Sequence, residues 1–586
     1  MSLLEVNGLT VRYADSAAVS DLSFALEAGQ SVGLVGESGS GKTQTALAIL
    51  GLLPANASVS GSVQFQGAEL LGESETALDK VRAQRIAMVF QDPMLALNPY
   101  LRIGQQIALI IARHGGVDAD AVGARVLDML DAVGLPDPKR QARAYPHQLS
   151  GGMRQRAMIA SALVTEPDLL IADEPTTALD VTVQAQVLEL LDKVRNDTAL
   201  LLITHDLGVV AGHCEHMLVM ERGRLVETGT TRELFRAPGA SRTQQMLDAA
   251  PRISRTDFPA PVDTEVVLDV DAARVSYKEA GRSKLQAVRG VDLRLRDGET
   301  LAIVGESGSG KSSLVRAILG LERTSAGSVS YLGDTLAKDA RSRKPRVRRE
   351  VQLVFQDPAG SLNPQMRVVD IIREPLLVHE KQLSRADGEL RAQDMLQQVG
   401  LDSGFLRRFP HELSGGQAQR VAIARALILK PRILVCDEAV SALDGAVREQ
   451  ILDLLRELQD AHGLSILFIA HDLAVVRAIS HRVLVMYLGR VVELADNATL
   501  FEQTKHPYTQ ALISAVPVPD PELATRPEPL AGEVPSVLTP PSGCPFHPRC
   551  TYAVERCSSE LPAQRAVGDS LVACHRAEEL LLNGNR

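Results

Sequence analysis

The chain has 586 residues, too many for one hydrophobic core, so several domains are expected. Its hydrophobic fraction of 45% and charged fraction of 23% are ordinary for a globular protein, and its net charge of −10 lacks the overall basic balance of a nucleic-acid-binding protein. No apolar stretch approaches about eighteen residues, and residues 1–10 lack a signal-peptide pattern, so any membrane role is expected to be peripheral or to depend on partner chains.

The first recognisable element is a phosphate-binding loop, which occurs twice. Apolar runs at 31–35 and 300–304 each lead into Gly-Glu-Ser-Gly-Ser-Gly-Lys, then a hydroxyl residue, then apolar residues at helical spacing. This is the pattern G-x-x-x-x-G-K-[S/T] between a strand and a helix. Its glycines let N–H groups converge on phosphate, its lysine reaches the β- and γ-phosphates, and its hydroxyl can ligate Mg²⁺. The predicted ATP-binding residues are Gly36, Ser38, Gly39, Ser40, Gly41, Lys42, Thr43, Gly305, Ser307, Gly308, Ser309, Gly310, Lys311 and Ser312.

Further landmarks follow each loop in the same order, which indicates an internal duplication. Apolar strand-like runs alternate with helical patterns in both copies, so each is predicted to be an α/β domain with a largely parallel sheet. The repeated motifs are Val-Phe-Gln-Asp-Pro at 89–93 and 354–358, Leu-Ser-Gly-Gly at 149–152 and 413–416, Asp-Glu at 173–174 and 437–438, Ala-Leu-Asp at 178–180 and 442–444, and His-Asp-Leu at 205–207 and 471–473.

Domain boundaries follow from the duplication and from proline-rich stretches. We predict a first nucleotide-binding domain over 1–250, a linker over 251–265 and a second nucleotide-binding domain over 266–516. Residues 517–586 form a C-terminal regulatory segment with a proline-rich start and a cluster of cysteines.

The acidic pairs end apolar strands and are predicted to catalyse hydrolysis. Asp173 and Asp437 can hold Mg²⁺, and Glu174 and Glu438 are assigned as general bases for the attacking water. Strand-end acids that merely cap a helix are the alternative, which the repetition downstream of both loops disfavours.

Polar residues at other strand ends complete the predicted sites. His205 and His471 are expected to contact the γ-phosphate, whereas a lone histidine at a strand end is usually structural. Gln91 and Gln356 can orient water and contact Mg²⁺, with a simple polar strand end as the alternative. Two tyrosines precede the phosphate loops at matching positions, Tyr13 and Tyr277. Each could stack on adenine, although a tyrosine that is simply exposed on a strand is nearly as good an interpretation.

With these motifs the chain resembles ATP-binding cassette (ABC) ATPases over nearly its whole length. The decisive segments are Leu-Ser-Gly-Gly-Met at 149–153 and Leu-Ser-Gly-Gly-Gln at 413–417, which look like the cassette signature. The resemblance implies two tandem cassettes, each with a largely parallel core sheet, an antiparallel β subdomain and a helical subdomain. It also implies composite sites, in which each phosphate loop works with the signature of the other cassette. By this resemblance, two sets of signature residues would complete the ATP sites. Ser150, Gly151 and Gly152 would complete the site at the Lys311 loop, and Ser414, Gly415 and Gly416 would complete the site at the Lys42 loop.

Two departures from the family pattern distinguish the copies. The first signature ends in Met153, where glutamine is usual, and the second cassette has Asp-Glu-Ala-Val at 437–440, where the first has Asp-Glu-Pro-Thr. Neither removes a catalytic acid, histidine or lysine. We therefore predict two hydrolytically competent but unequal sites.

Four other segments resemble the ATPase subunits of dipeptide, oligopeptide and nickel importers: 91–99, 356–364, 506–517 and 543–550. Residues 243–251 in the first half keep a partial version of the pattern at 506–517. The resemblance implies a fused ATPase subunit at the cytoplasmic face of the membrane. Its partners would be two transmembrane permease subunits and an extracytoplasmic substrate-binding protein, and it would drive uptake of di- or oligopeptides without contacting them.

The cassettes do not contact the solute, so nickel, glutathione or another small solute stays an alternative cargo. A tandem cassette protein acting on ribosomes or DNA is a second alternative, disfavoured by the short proline-rich linker and by the lack of zinc-binding insertions. A purely regulatory binding module is disfavoured because both catalytic glutamates are present.

Six cysteines fall into two groups. Cys214 and Cys436 stand in apolar surroundings and are expected to be small core residues. The other four, with His547 and His575 as possible further ligands, lack the tight spacing of a zinc knuckle. A [4Fe–4S] cluster is favoured over Zn²⁺, with free thiols as the remaining alternative. The predicted cluster ligands are Cys544, Cys550, Cys557 and Cys574.

Overall fold

A computed structural model describes residues 2–14, 16–114, 118, 120–176, 179–194, 198–250, 264–277, 285–441, 443, 445–523, 530 and 532–582. Contacts divide the chain into two units. One is Met1–Leu179 with Val183–Ala250 and Pro517–Pro529, and the other is Asp180–Thr182 with Pro251–Val516 and Leu530–Arg586. Most of the predicted linker lies outside the described residues, as do Ala178, Ala442 and Asp444 of the repeated Ala-Leu-Asp motif.

The elements up to residue 250 alternate between strands and helices, as the sequence pattern predicts. In chain order they are β1 (Ser2–Tyr13), β2 (Ser16–Glu27), β3 (Ser31–Val35), α1 (Lys42–Ile49), β4 (Ala57–Phe65), β5 (Ala68–Glu69), α2 (Glu75–Asp79), β6 (Ile86–Val89), α3 (Pro93–Ala96), α4 (Ile103–His114), α5 (Val122–Ala132), α6 (Pro138–Ala142), α7 (Gly151–Leu163), β7 (Leu169–Asp173), α8 (Val181–Val194), β8 (Ala199–Thr204), α9 (Leu207–His213), β9 (His216–Glu221), β10 (Arg224–Thr230), α10 (Thr231–Arg236) and α11 (Ser241–Asp248).

Two sheets organise this first unit. An antiparallel sheet has the order β2-β1-β4-β5, and a core sheet has the order β10-β9-β3-β8-β7-β6. In the core sheet only the β9–β10 pair is antiparallel, and every residue of β3, β7 and β8 is buried. Burial on both faces explains why these strands are continuous apolar runs. Ile103, Ile107 and Ile111 of helix α4 are spaced one turn apart on one helix face, and they pack into an apolar cluster that includes residues of the core sheet.

The elements from residue 266 onward repeat this order, with a 3-10 helix (Ser403–Arg407) in place of α6, and then extend it. They are β11 (Val266–Tyr277), β12 (Leu285–Arg296), β13 (Thr300–Val304), α12 (Lys311–Leu319), β14 (Thr324–Tyr331), β15 (Asp334–Thr335), α13 (Pro345–Glu350), β16 (Val351–Val354), α14 (Pro358–Ser361), α15 (Val368–His379), α16 (Arg385–Gln398), α17 (Gly415–Leu427), β17 (Ile433–Asp437), α18 (Gly445–His462), β18 (Ser465–Ile469), α19 (Leu473–Ile479), β19 (Arg482–Tyr487), β20 (Arg490–Asp496), α20 (Asn497–Glu502), α21 (Pro507–Ser514), α22 (Glu555–Ser559), β21 (Arg565–Val567) and β22 (Ser570–Val572).

The second unit has the same two sheets, but its core sheet is longer. The small sheet runs β12-β11-β14-β15, and the core sheet runs β16-β17-β18-β13-β19-β20-β22-β21. Strand β22 pairs antiparallel with β20 through Glu493↔Val572 and Leu494↔Leu571. The cysteine-bearing segment therefore continues the core sheet of the second unit.

The predicted fold class is confirmed: each unit has a largely parallel core sheet, an antiparallel β sheet and packed helices. The carboxyl ends of parallel strands share one edge of a sheet, so the loops after β3, β7 and β8, and after β13, β17 and β18, gather there. This edge collects the phosphate loops, the Asp-Glu pairs and the histidines. None of the helices in the described ranges has the length and apolarity needed to span a bilayer.

Candidate active site

Each phosphate loop is held in shape by its own lysine. Lys42 Nζ donates to the carbonyl oxygens of Gly36 (2.8 Å) and Glu37 (2.8 Å), and Lys311 Nζ donates to those of Gly305 (2.6 Å) and Glu306 (3.2 Å). Both lysines are buried, and desolvation lowers the pKa of Lys311. An anion entering the loop would offer the ammonium group a stronger partner than these carbonyls.

Glycine is required where each loop enters its helix. Gly41 and Gly310 cap α1 and α12 with φ of 99° and 101°. A Cβ at Gly310 would lie 2.4 Å from the carbonyl oxygen of Ala287, and one at Gly41 would lie 2.5 Å from that of Ala18. At these two positions a residue other than glycine would clash with the backbone, so the loop conformation requires glycine there.

The strand-end aspartates suit a divalent cation. Asp173 ends β7 and Asp437 ends β17, and desolvation raises the pKa of both carboxyls. Among the described residues, Oδ1 of each is buried without a hydrogen-bond partner. The Thr43 hydroxyl contacts Asp173. Buried carboxylate oxygens with free lone pairs fit Mg²⁺, which when bound would neutralise charge on the phosphates.

The predicted general bases occupy a backbone conformation that the sequence did not reveal. Glu174 and Glu438 have φ of 45° and 48°, in the left-handed region that non-glycine residues seldom adopt. Their N–H groups donate to the carbonyl oxygens of Ile203 (2.8 Å) and Ile469 (3.0 Å), which holds the turn. Such strain costs about 1–3 kcal/mol and persists where the surrounding structure fixes it. Its occurrence at both glutamates supports a functional role.

The glutamine and histidine predicted for each site contact the same glutamate. Gln91 Nε2 donates to Glu174 Oε2 (2.8 Å), and His205 Nδ1 lies 3.2 Å from Glu174 Oε1. In the second unit Gln356 Nε2 donates to Glu438 Oε2 (2.7 Å), and His471 Nδ1 lies 3.7 Å from it.

The histidine contact favours ionised glutamate in the second unit. Contact with His471 lowers the pKa of Glu438 by more than burial raises it. Burial alone would lower the pKa of His471, but Glu438 raises it above the ordinary value. The lowered pKa keeps Glu438 ionised, which is the form in which a general base can accept a proton.

The two signatures differ in how their helices begin. Ser150 caps α7 and Ser414 caps α17, each accepting a hydrogen bond from the residue three positions on. In the second signature Gln417 Oε1 also accepts from the Ser414 N–H (3.0 Å), which closes a capping box. Met153 has no oxygen with which to do this. The pattern S-x-x-Q was visible in the sequence and could have predicted this difference.

The tyrosines lie beside the helices that follow the phosphate loops. Tyr13 donates its hydroxyl to Gln44 Oε1 (2.5 Å), and Tyr277 donates to Ser313 Oγ (3.1 Å). Both rings are half-buried at the ends of β1 and β11. Stacking on adenine stays a prediction.

The clustered cysteines line one small cavity of about 20 Å³, together with three histidines. Within the described residues, no group of three or more His, Cys, Asp or Glu side chains is arranged to hold a metal ion. Burial raises the pKa of Cys544 and Cys550 to about 11, which favours protonated thiols. The donor chemistry suits a metal, but the side chains as placed do not form its coordination site. Cys214 and Cys436 are buried in the cores, as predicted.

The fold and the loop–acid–histidine arrangement define a tandem phosphate-loop ATPase. The sequence profile described as ABC transporter matches residues 19–177 and 288–441, and the profile described as oligopeptide/dipeptide transporter, C-terminal region, matches residues 492–557. The chain belongs to the ABC transporter family, and it is an ATP-hydrolysing subunit of that family.

Several named relatives align along nearly their whole length. The chain is 45% identical over 529 residues to the peptidoglycan transport ATP-binding protein YejF of Agrobacterium fabrum, covering 88% of this chain and 96% of the relative. It is 42% identical over 580 residues to the glutathione import ATP-binding protein GsiA of Pectobacterium atrosepticum, covering 92% and 93%. It is 40% identical over 607 residues to the oligopeptide transport ATP-binding protein OppD of Mycobacterium bovis, covering 89% and 99%.

Proposed function

We propose that the protein couples ATP binding and hydrolysis to the uptake of di- or oligopeptides, as the ATPase subunit at the cytoplasmic face of a membrane importer. The observation that carries this proposal is the Gln–Glu–His arrangement in both units, joined in one chain to a match with the oligopeptide/dipeptide transporter C-terminal region. An extracytoplasmic binding protein would deliver the peptide, and two permease chains would carry it across the membrane.

In this proposal the residue roles are those that the geometry suits. The lysines hold the phosphates, the aspartates hold Mg²⁺ and the glutamates accept the proton of the attacking water. The pairing of each phosphate loop with the other signature stays a prediction.

A groove in the second unit suits a permease. It has a volume of about 870 Å³, and its lining includes the exposed apolar residues Leu321, Phe355 and Val378. Gln356 and Asp437 also line it, so an inserted segment would contact the loop that bonds the catalytic glutamate. In the first unit Leu52 and Phe90, at the positions matching Leu321 and Phe355, are exposed too. An apolar patch beside the nucleotide site is what a coupled partner chain would need.

Substituting Val378→Asp is expected to weaken binding of the permease pair about tenfold or more, because it replaces apolar contact area with a carboxylate that binding must desolvate. Val378 is 62% exposed at the end of α15, so the fold should be unaffected. Leu390→Asp is the matched control, because Leu390 is 59% exposed on α16 and does not line the groove. Co-purification with the permeases measures both. Equal retention of the two variants would place the interface elsewhere.

The cargo is tested by reconstitution with the candidate permeases and binding protein. Peptides are expected to stimulate ATP hydrolysis. Glutathione is the second candidate, because a relative with 42% identity carries that cargo in its name. Stimulation by glutathione or nickel, without stimulation by peptides, would overturn the peptide assignment and leave the ATPase assignment intact.

We also propose that the four clustered cysteines hold a [4Fe–4S] cluster, with Zn²⁺ as the alternative. The ligand set supports this, because such clusters take four thiolate ligands, and binding would require the four thiols to lose their protons and to rearrange. Protein purified without oxygen is expected to be brown and to contain about four iron atoms per chain. Cys557→Ser should lower the iron content, and Cys214→Ala, away from the cavity, should not. Colourless protein with stoichiometric zinc would contradict the cluster.

A further inference from the structure

The second phosphate loop is tied to the cysteine-bearing segment by a buried ion pair. Arg549 donates from Nη1 to Glu306 Oε2 (2.7 Å) and from Nη2 to Glu306 Oε1 (3.0 Å). The side chains are 3% and 1% exposed. Glu306 is the second residue of the loop, and its carbonyl oxygen accepts from Lys311 Nζ. A bidentate pair excluded from water fixes both partners in position far better than a surface pair does.

Aromatic side chains enclose this pair. The hydroxyl of Tyr508 accepts the backbone N–H of Glu306 (2.9 Å), so the loop is held through its main chain as well. The Tyr508 ring lies 4.6 Å from that of Tyr487 and 5.4 Å from that of Phe546, centroid to centroid. Phe546 and Arg549 belong to the same short segment as Cys544 and Cys550. The packing of that segment therefore sets where the guanidinium lies.

The first phosphate loop is held differently. Its matching glutamate, Glu37, pairs with Arg242, which comes from α11 of the first unit. The side chain of Glu37 is 45% exposed, so solvent screens this contact. The glutamate of the first loop thus pairs with an arginine of its own domain in a partly exposed ion pair, whereas the glutamate of the second loop pairs with an arginine of the cysteine-bearing segment in a buried one.

We infer that Arg549 is a positioning residue for ATP at the second phosphate loop, and that the cysteine-bearing segment thereby sets nucleotide affinity at that loop. The guanidinium keeps Glu306 turned away from the phosphates and leaves the carbonyl of Glu306 on Lys311, so the loop is preorganised for the anion. Without Arg549, the Glu306 carboxylate keeps the Thr182 hydroxyl as a hydrogen-bond donor but loses its compensating charge beside the phosphate site, where it repels the nucleotide. The inference rests on ATP binding at this loop, and it depends neither on the transported solute nor on a bound metal.

The test uses the full chain with Lys42→Ala, so that tight nucleotide binding reports on the second loop. Arg549→Gln is expected to weaken ATP binding about tenfold and to raise KM for ATP with little change in kcat. Arg549→Lys should restore part of the affinity, because it keeps the charge and loses the bidentate geometry. Adding Glu306→Gln to Arg549→Gln should also recover affinity, because the repelling charge is removed. Arg556→Gln is the matched control, because Arg556 belongs to the same segment, is 62% exposed and pairs with Glu560, and it should leave this affinity unchanged.

Site selectivity is read in the reciprocal background, Lys311→Ala, where Arg549→Gln should leave ATP binding at the first loop within about twofold. Equal weakening at both loops, or no recovery with Glu306→Gln, would show that Arg549 serves only the general stability of the fold. If Arg549→Gln does not yield folded protein, Tyr508→Phe removes the acceptor of the Glu306 N–H alone and should weaken binding at the second loop severalfold. Unchanged affinity in Tyr508→Phe would then overturn the inference.

Discussion

Glu174→Gln and Glu438→Gln together are expected to lower ATP turnover by about 100- to 10,000-fold, the usual contribution of a positioned general base. The amide keeps the shape of the side chain and the hydrogen-bonding reach to Gln91 or Gln356, but it cannot accept the proton of the attacking water. ATP binding should persist, because the lysines and the loop N–H groups are untouched. Phosphate release under single-turnover conditions, beside equilibrium ATP binding, separates the two effects.

Each single substitution is expected to remove hydrolysis at one site and to leave a different residual rate, because the signatures differ at Met153 and Gln417. Glu457→Gln, an exposed change on α18, is the control and should leave turnover unaltered. Loss of all turnover from one substitution and of none from the other would show that only one site hydrolyses ATP.

Gly305→Ala is expected to destabilise the second unit by about 3 kcal/mol or more, because a strained backbone and a steric clash add together. Gly305 has φ of 146°, and a Cβ there would lie 2.2 Å from the carbonyl oxygen of Met486 at the core of the sheet. Backbone atoms of β19 cannot move aside without breaking the pairing with β13. Thermal unfolding without nucleotide measures the change.

Gly308→Ala is the matched control for that experiment. Gly308 also has positive φ, at 80°, but a Cβ there would meet no atom within 4 Å. It therefore carries the conformational strain alone and should cost about 1 kcal/mol. Equal loss of stability in both variants would mean that the loop at Gly305 relaxes to admit a methyl group.

The strands, and the grouping of the Gln, Glu and His side chains at their ends, could be predicted because the sequence signals are local and occur twice. Asp173, Glu174 and His205 each end an apolar run, and an α/β fold brings such ends to one edge of the sheet. The positive φ of Glu174 and Glu438 was not predictable, because it arises from hydrogen bonds to the neighbouring strand. The pair between Arg549 and Glu306 joins residues 243 positions apart. No spacing rule reaches that far, and only the folded segment reveals it.

The short strands β21 and β22 were also not predicted, because three-residue strands carry too little sequence pattern.

The pairing of β22 with β20 affects how the protein can be truncated. Strand β10, which ends the core sheet of the first unit, is largely accessible, whereas most of its counterpart β20 is buried. A chain cut before residue 530 would bare the N–H and C=O groups of β20 along an apolar edge, a template for strand addition and aggregation. Loss of solubility on deleting the tail would thus report an unprotected sheet edge, and point substitutions are the sound way to study its cysteines.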